Sequence, residues 1–341
     1  MAIVEVDRRI TGGVDTHLDV NVAAALDEIG GLLGVESFAT TVAGNDALIG
    51  WLDSFGRLDL VGVEGTGSYG ASLARALARR GVAVVEVDQP NRQRRRQAGK
   101  SDPIDAVEAA RAAQGGRARG LAKTRTGNVE AIRALNVARR SARSVRVKSM
   151  NQIRHLGFTA PDDLRERLNG VHRNHLGATA AALRPSPGSD PVVFATKTSL
   201  RILHLDGEIK ELDAQLDELV AATAPDLLAL YGVGTDTAAL LLIAAGDNPE
   251  RLRSEAAWAH LCGASPIQAS SGKTVRHRLN RSGDRQANHA LWRIALTRMG
   301  SHDETKRYVE RRLEEGKTKR EIMRILKRYI AREVYKALPR A

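Results

Sequence analysis

The first 115 residues alternate short apolar runs with turns and amphipathic stretches, and that alternation limits this chain's folds more than any other feature. Runs at Val14, Val20 to Leu26 and Leu32 to Phe38 are separated by turns such as Asp27-Glu28-Ile29-Gly30-Gly31, which predicts three consecutive antiparallel strands. Leu48, Trp51 and Leu52 then recur at helical spacing within Ala47 to Phe55. Leu58 to Val63 reads as a buried strand that ends in Glu64 and a Gly-Thr-Gly turn. Ser68 to Arg80 reads as a helix, Val82 to Val87 as a strand, and a further helix opens at Asp102. The resulting order, β-β-β-α-β-α-β-α, implies a mixed sheet with helices over its faces.

This is the element order of an RNase H-like domain. In that fold, acids at the end of the first strand, at the end of the fourth strand and on a late helix converge. Here those places hold Asp15, Glu64 and the pair Asp102/Asp105. In Lys100-Ser101-Asp102-Pro103-Ile104-Asp105-Ala106, Asp102 reads as the N-cap and Pro103 as the first helical residue, with both aspartates on one face. Each acid has a plain alternative as a cap, turn or surface residue. Four carboxylates at one point would repel unless divalent cations neutralise them. Such hard oxygen donors suit Mg²⁺ or Mn²⁺, and a pair of such ions can clamp both oxygens of a phosphoryl transfer. Asp19 is the rival for the first position.

Charge points the same way. Lys and Arg number 52 against 40 acids, a formal net of +12, which predicts attraction to a polyanion, most often nucleic acid. Aromatic residues make up only 4%, against a binder built mainly on base stacking. The single cysteine, Cys262, excludes an internal disulfide and a cysteine zinc cluster. Together with an N-terminus that lacks an apolar signal core, it leads to an expected cytoplasmic, nucleoid-associated location.

Beyond the first domain, Arg92, Arg94, Arg95 and Arg96 form a basic run that reads either as a phosphate clamp or as a solvated helix face. Val129 to Leu156 is one long helix holding Arg139, Arg143, Arg146 and Arg154 with Glu130 as its only acid, which predicts an anion lying against it. After a Pro/Ser/Gly stretch at 185–191, Ile202, Leu205, Ile209, Leu212, Leu216 and Leu219 make a heptad seam flanked by acids. The seam can close on the Val129 helix or pair subunits. Gly232-Val233-Gly234 opens an apolar helix and reads as a phosphate-holding hairpin element or as a plain turn. Ser270 to Arg278 is a polar, basic loop or hairpin that includes Lys273, Arg276 and Arg278, three more expected nucleic-acid contacts. The expected domains are 1–125 (α/β, metal-binding), 126–222 (helical coiled coil) and 223–341 (mainly helical).

Val14-Asp15 with Asp19, Val63-Glu64-Gly65-Thr66-Gly67-Ser68-Tyr69 and Lys100 to Ala106 resemble the RuvC-like Asp-Glu-Asp-Asp domain of the IS-one-ten family of insertion-sequence transposases. Asn151-Gln152-Ile153-Arg154 resembles that family's connecting helix. Gly232 to Gly234, Ala256 to Gly263, Ser271-Gly272 and Gly283-Asp284-Arg285 resemble its C-terminal domain. Ala287-Asn288 departs from a common Leu-Arg pair, which puts DNA contact there in doubt. The resemblance implies a DNA recombinase that acts on donor and target duplexes, guided by a non-coding bridge RNA. It implies Asp15, Glu64, Asp102 and Asp105 as metal ligands and Ser271 as a covalent nucleophile. The heptad seam and the need of recombination to cut several strands in concert lead to an expected homodimer that assembles to a tetramer on DNA. Ser270 is the fallback nucleophile, since the local chemistry does not separate the two serines. A metal-dependent nuclease or junction resolvase using water alone is the rival enzyme reading, and a non-catalytic nucleic-acid scaffold is the rival outside enzymes.

Overall fold

The computed structural model describes residues 8–87, 101–118, 120–248, 251–272 and 277–339. The chain forms two compact units. One comprises residues 1–125 with 246–253, the other residues 126–245 with 254–341.

The first unit is built on a six-stranded mixed sheet, the RNase H-like arrangement. Its strands are β1 (Arg9–Thr16), β2 (Val20–Leu26), β3 (Leu32–Ala39), β4 (Arg57–Glu64), β5 (Ala83–Val87) and β6 (Gly120–Leu121), ordered β3-β2-β1-β4-β5-β6. The first three form the expected antiparallel meander, while β1, β4 and β5 run parallel. Val14 pairs with Val63, so Asp15 and Glu64 occupy the next positions at the ends of neighbouring parallel strands.

Successive side chains of a strand point to opposite faces, and the two faces here are packed very differently. One face meets α1 (Val42–Asp53) and α2 (Ala71–Arg79) through Ile10, Val14, Leu48, Ile49, Leu52, Val61, Val63, Leu73 and Leu77, all fully buried. Each large side chain sequestered in this way contributes roughly 1.5–3 kcal/mol. The other face meets α3 (Asp102–Gln114), whose buried residues include Ala106, Ala109, Ala110 and Ala113. Gly13 and Gly62 lie beneath it. A Cβ on Gly13 would come 2.7 Å from Ala110 Cα, and one on Gly62 would come 2.5 Å from the Ala109 carbonyl. Only glycine at both positions lets the helix backbone sit this close.

The start of α3 differs from the sequence reading. Ser101, not Asp102, takes the extended N-cap conformation, and the Asp105 N–H donates to the Ser101 carbonyl at 3.0 Å. Asp102 and Pro103 are therefore the first two helical residues. Either register satisfies proline's tolerance in the first turn, so sequence alone did not separate them.

Edge strand β6 was not foreseen, nor was the return of residues 246–253 to this unit from within the expected C-terminal domain. Asn248 clasps the chain beyond the strand, donating from Nδ2 to the Ala122 carbonyl at 2.8 Å and accepting at Oδ1 from Thr124 N–H at 3.4 Å. Arg251 donates to the Leu121 carbonyl at 2.8 Å and lies 3.7 Å from Glu86.

In the second unit α4 (Asn128–Thr159) and α7 (Asp190–Thr223) run antiparallel against each other. The far end of the pair is closed by α5 (Asp162–Leu168) and α6 (Leu176–Ala181) around Ile153, Leu164, Leu168, Leu176 and Ile202. The heptad seam is covered within the chain: Ile202, Leu205 and Leu216 are buried and Ile209, Leu212 and Leu219 half-buried. The remainder comprises α8 (Pro225–Leu228), α9 (Thr235–Ala245), α10 (Glu255–Leu261), a hairpin of β7 (Ile267–Gln268) and β8 (His277–Arg278), α11 (Arg285–Ser301), α12 (Asp303–Glu314) and α13 (Lys319–Ala337). Among the described residues no helix is long and apolar enough to cross a membrane.

Candidate metal centre

The close seat of α3 determines the geometry at the end of β1. Asp15 shares a sheet face with Gly13, two residues back, and so points toward the helix start. It is 5% exposed, and the Asp105 side is equally closed at 2%. His17, one residue past β1, brings its Nε2 to 3.0 Å from Asp15 Oδ2 and 3.5 Å from Asp102 Oδ1. One donor atom each from Asp15, His17 and Asp102 lies within 4.8 Å of the others. Burial pushes the Asp15 carboxyl above its ordinary range; Asp102 and Asp105 add to that rise, while His17 opposes it by charge and hydrogen bond. Two oxygens and one imidazole nitrogen suit a divalent ion of the Mg²⁺ to Mn²⁺ kind, the nitrogen favouring the softer of the two.

Glu64 is half-buried at the end of β4, one register step from the Val14–Val63 pair. Thr16 Oγ donates to the Glu64 carbonyl at 2.7 Å, tying the two strand ends together. Gly65 follows with φ +74°, the left-handed conformation that turns the chain. Asp19, the rival acid, is exposed in the β1–β2 turn. His17 was missed in the sequence, since it lies past the strand whose alternation orients Asp15.

Ser271 is exposed in the β7–β8 hairpin beside Gly272, whose φ is +56°. Arg278 is exposed on β8, whereas Lys273, Arg276, Arg92, Arg94, Arg95 and Arg96 lie outside the described residues. The anion expected against α4 is partly the protein itself. Arg139, only 8% exposed, pairs with Asp213 and Asp236; Arg143 lies 3.3 Å from Asp213; Arg146 pairs with Asp206. Arg154 is exposed. At the Gly232–Gly234 turn two N–H groups are used internally, Val233 to the Leu230 carbonyl at 3.0 Å and Gly234 to Thr237 Oγ at 3.1 Å, as a plain turn requires. Asn288 also points inward: its Nδ2 donates to the Cys262 and Gly263 carbonyls at 2.8 and 3.2 Å, and its Oδ1 accepts from Lys327 at 3.0 Å.

Two family models match the chain in order. A DEDD-type model described as "Transposase" covers residues 12–156, and one described as "Transposase IS116/IS110/IS902 family" covers residues 224–310. The chain is also similar to the "Insertion element IS110 uncharacterized 43.6 kDa protein" of Streptomyces coelicolor, with 32% identity over 138 residues. That stretch is 39% of this chain and spans 33% of the relative's length. The first model spans Asp15, Glu64, Asp102 and Asp105, the second spans Ser271, and with both halves present in order the chain belongs to the IS110 family of transposases.

Proposed function

We propose that the protein is a DNA transposase that cuts and rejoins strands of donor and target duplexes, with Ser271 as nucleophile and Asp15, Glu64, Asp102 and Asp105 as the carboxylates of a divalent-metal centre. The observation that carries this reading is the convergence of Asp15, His17 and Asp102 at the strand ends of an RNase H-like sheet, in a chain that matches two transposase models. Bound there, Mg²⁺ or Mn²⁺ would supply Lewis-acid stabilisation of the phosphodiester undergoing substitution. Asp15, Asp102 and His17 would hold the ion, and Asp105 and Glu64 would add carboxylates to the same centre.

At the serine, Oγ forms a bond to phosphorus while the bond from phosphorus to the leaving sugar oxygen breaks, and overall the serine proton ends on that oxygen. The strand is then held as a phosphoserine ester, and a sugar hydroxyl reverses the step to join it. Cations near the hairpin, Arg278 among the described residues together with Lys273 and Arg276, neutralise the phosphate. Exposed Arg154, with Arg92, Arg94, Arg95 and Arg96, supplies backbone contacts. Arg143 and Arg146 contribute there only if DNA displaces their acidic partners. A bridge RNA as guide follows from the family resemblance, and a homodimer assembling to a tetramer follows from the need to cut several strands together. The heptad seam was the other ground for that assembly; in the single chain Ile202, Leu205 and Leu216 are buried and Ile209, Leu212 and Leu219 half-buried.

The test is a denaturing gel of end-labelled DNA incubated with Mn²⁺. The protein carries label covalently, Ser271→Ala abolishes both adduct and joining, and Ser270→Ala retains both. A Ser271→Ala protein that still cuts and rejoins selects the resolvase using water. An Asp102→Asn protein with every DNA-processing activity intact selects the scaffold. RNA that co-purifies and is required for target choice tests the guide, and mass photometry of the DNA complex tests the tetramer.

A further inference from the structure

A cavity of about 440 Å³ opens in the second unit between the hairpin flanks and α13, lined by residues 263–266 and 277–280, by Lys317, and by Glu321, Arg324, Ile325, Lys327, Arg328 and Tyr329 of α13. Its size falls within the roughly 300–1,000 Å³ of small-ligand sites.

Its lining sorts into two chemistries. Pro266, Leu279, Ile325 and the half-exposed ring of Tyr329 give an apolar wall. Arg278, Lys317 and Arg324 give a cationic wall; hydrogen bonds from Thr318, and then the charges of Lys317 and Arg324, hold the carboxyl of the lining acid Glu321 below its ordinary range. The lining acid, Glu321, is engaged at the start of its own helix, accepting from the N–H and Oγ of Thr318 at 2.8 Å each.

A second observation is independent of charge. Asn280 is buried, its Oδ1 accepts from the Ser282 N–H at 2.9 Å and from Ser282 Oγ at 2.6 Å, and its Nδ2 has no hydrogen-bond partner among the described residues. A buried donor left unmatched costs roughly 1–3 kcal/mol; Asn280 lines the cavity, and its Nδ2, closed over here, meets an acceptor there after a small shift of the lining. Lys327 is also buried, its ammonium held at 3.0 Å by Asn288, and burial with nearby Arg324 pushes it below the usual lysine range. Anions, base carbonyls and ring nitrogens match a wall of donors.

We propose that this cavity receives a single unpaired nucleotide of the DNA strand, its base against Leu279, Ile325 and Tyr329 with an acceptor edge on Asn280, and its phosphate on Arg278, Lys317 and Arg324. His277 to Asn280 continue directly from β8, so the pocket wall is also the root of the hairpin that carries Ser271. A nucleotide captured here fixes a strand relative to that hairpin. The inference rests on the DNA-processing reading for its choice of ligand.

The experiment compares two DNA duplexes identical except that one carries an extra, unpaired 2-aminopurine nucleotide. Stacking and hydrogen bonding of one base predict about tenfold tighter binding of the bulged duplex by the full-length protein, with quenched 2-aminopurine fluorescence. Arg324→Glu, Lys317→Glu and the cavity-filling Ile325→Trp each erase that preference. Arg320→Glu, an equal charge change outside the lining, weakens both duplexes alike and preserves it. Equal affinity of the unaltered protein for both duplexes overturns the proposal, and that comparison stands whether or not any variant folds. Loss of preference in Arg320→Glu, or a preference confined to an RNA bulge, also overturns it. Adduct formation is read separately: a bulge preference without an adduct leaves the pocket and removes the nucleophile, and an adduct without the preference does the reverse.

Discussion

Replacing Gly13 by alanine tests the physical basis of the metal centre directly. The added Cβ would lie 2.7 Å from Ala110 Cα and closer still to the Ala106 carbonyl and the Ala110 nitrogen, all backbone atoms, where ordinary contact begins at 3.4 Å. No rotamer relieves a clash with backbone, so α3 must retreat by about 1 Å or the strand must bend. Overpacking of this kind costs about 1–3 kcal/mol. The same retreat carries Asp102 and Asp105 away from Asp15 and His17, whose donor atoms now span at most 4.8 Å. A misplacement of about 1 Å at a positioned site commonly costs on the order of a hundredfold in rate. Urea unfolding and Mn²⁺ titration by electron paramagnetic resonance read the two effects separately. Gly50→Ala, where a Cβ meets nothing within 4 Å in the middle of α1, is the control and is expected to stabilise by about 0.4–1 kcal/mol. A Gly13→Ala protein with unchanged stability and unchanged Mn²⁺ affinity would refute the claim that helix–sheet proximity builds the site.

Four further outcomes are expected. Replacing His17 with Gln removes the nitrogen donor, so the ratio of Mn²⁺ to Mg²⁺ affinity measured by calorimetry falls several-fold; an unchanged ratio would mean that His17 is no ligand. Arg139→Met removes one cation from Asp213 and Asp236, which are about a third exposed and keep Arg143 and, for Asp236, Arg293 nearby, so the loss is about 1 kcal/mol and well short of the roughly 3–5 kcal/mol of a broken buried pair, with DNA affinity little changed; Arg154→Ala is expected to do the opposite, leaving stability alone and lowering the salt slope of DNA binding by about one. Burial alone would raise the Asp236 carboxyl, but hydrogen bonding and charge from Arg139, with Arg143 and Arg293, hold it below its ordinary range. Its contribution is thus present above the ordinary carboxylate pKa and lost as pH falls through the lowered one, so Asp236→Asn should flatten the acid side of the stability curve, read by thermal melts from neutral pH downward.

The strand order was legible because β1 to β5 carry period-two or continuous apolar runs bounded by turn residues, a local signal. Strand β6 was not, since two residues carry no period and the pairing is secured by Asn248 and Arg251 from more than a hundred residues away. Asp15 and Glu64 could be set at strand ends because fold order fixes those ends, but His17 lies one residue past β1, where strand periodicity no longer says which way a side chain turns. The arginines of α4 were read as facing DNA because one helix was weighed alone. Asp206, Asp213 and Asp236 answer Arg146, Arg139 and Arg143 only once α7 and α9 are packed against it. Charge on a helix names no partner until its neighbours are known.

The two faces of the sheet divide the work of the first unit. Large side chains from Leu48, Ile49, Leu52, Leu73 and Leu77 supply most of the apolar burial on the α1/α2 side, where a loss of one methylene is a loss of stability but moves no carboxylate. The α3 side offers mainly Gly13, Gly62 and a row of alanines, so it contributes less burial per residue and gains closeness instead. Closeness is what a multi-carboxylate centre needs, because donors on a strand and on a helix reach one ion only when their backbones nearly touch. A thicker interface, with leucine at position 110 and alanine at position 13, would add apolar area and separate Asp105 from Asp15. Small residues at this interface are therefore the structural condition for the proposed metal centre, and substitutions there should impair metal binding before they threaten the fold.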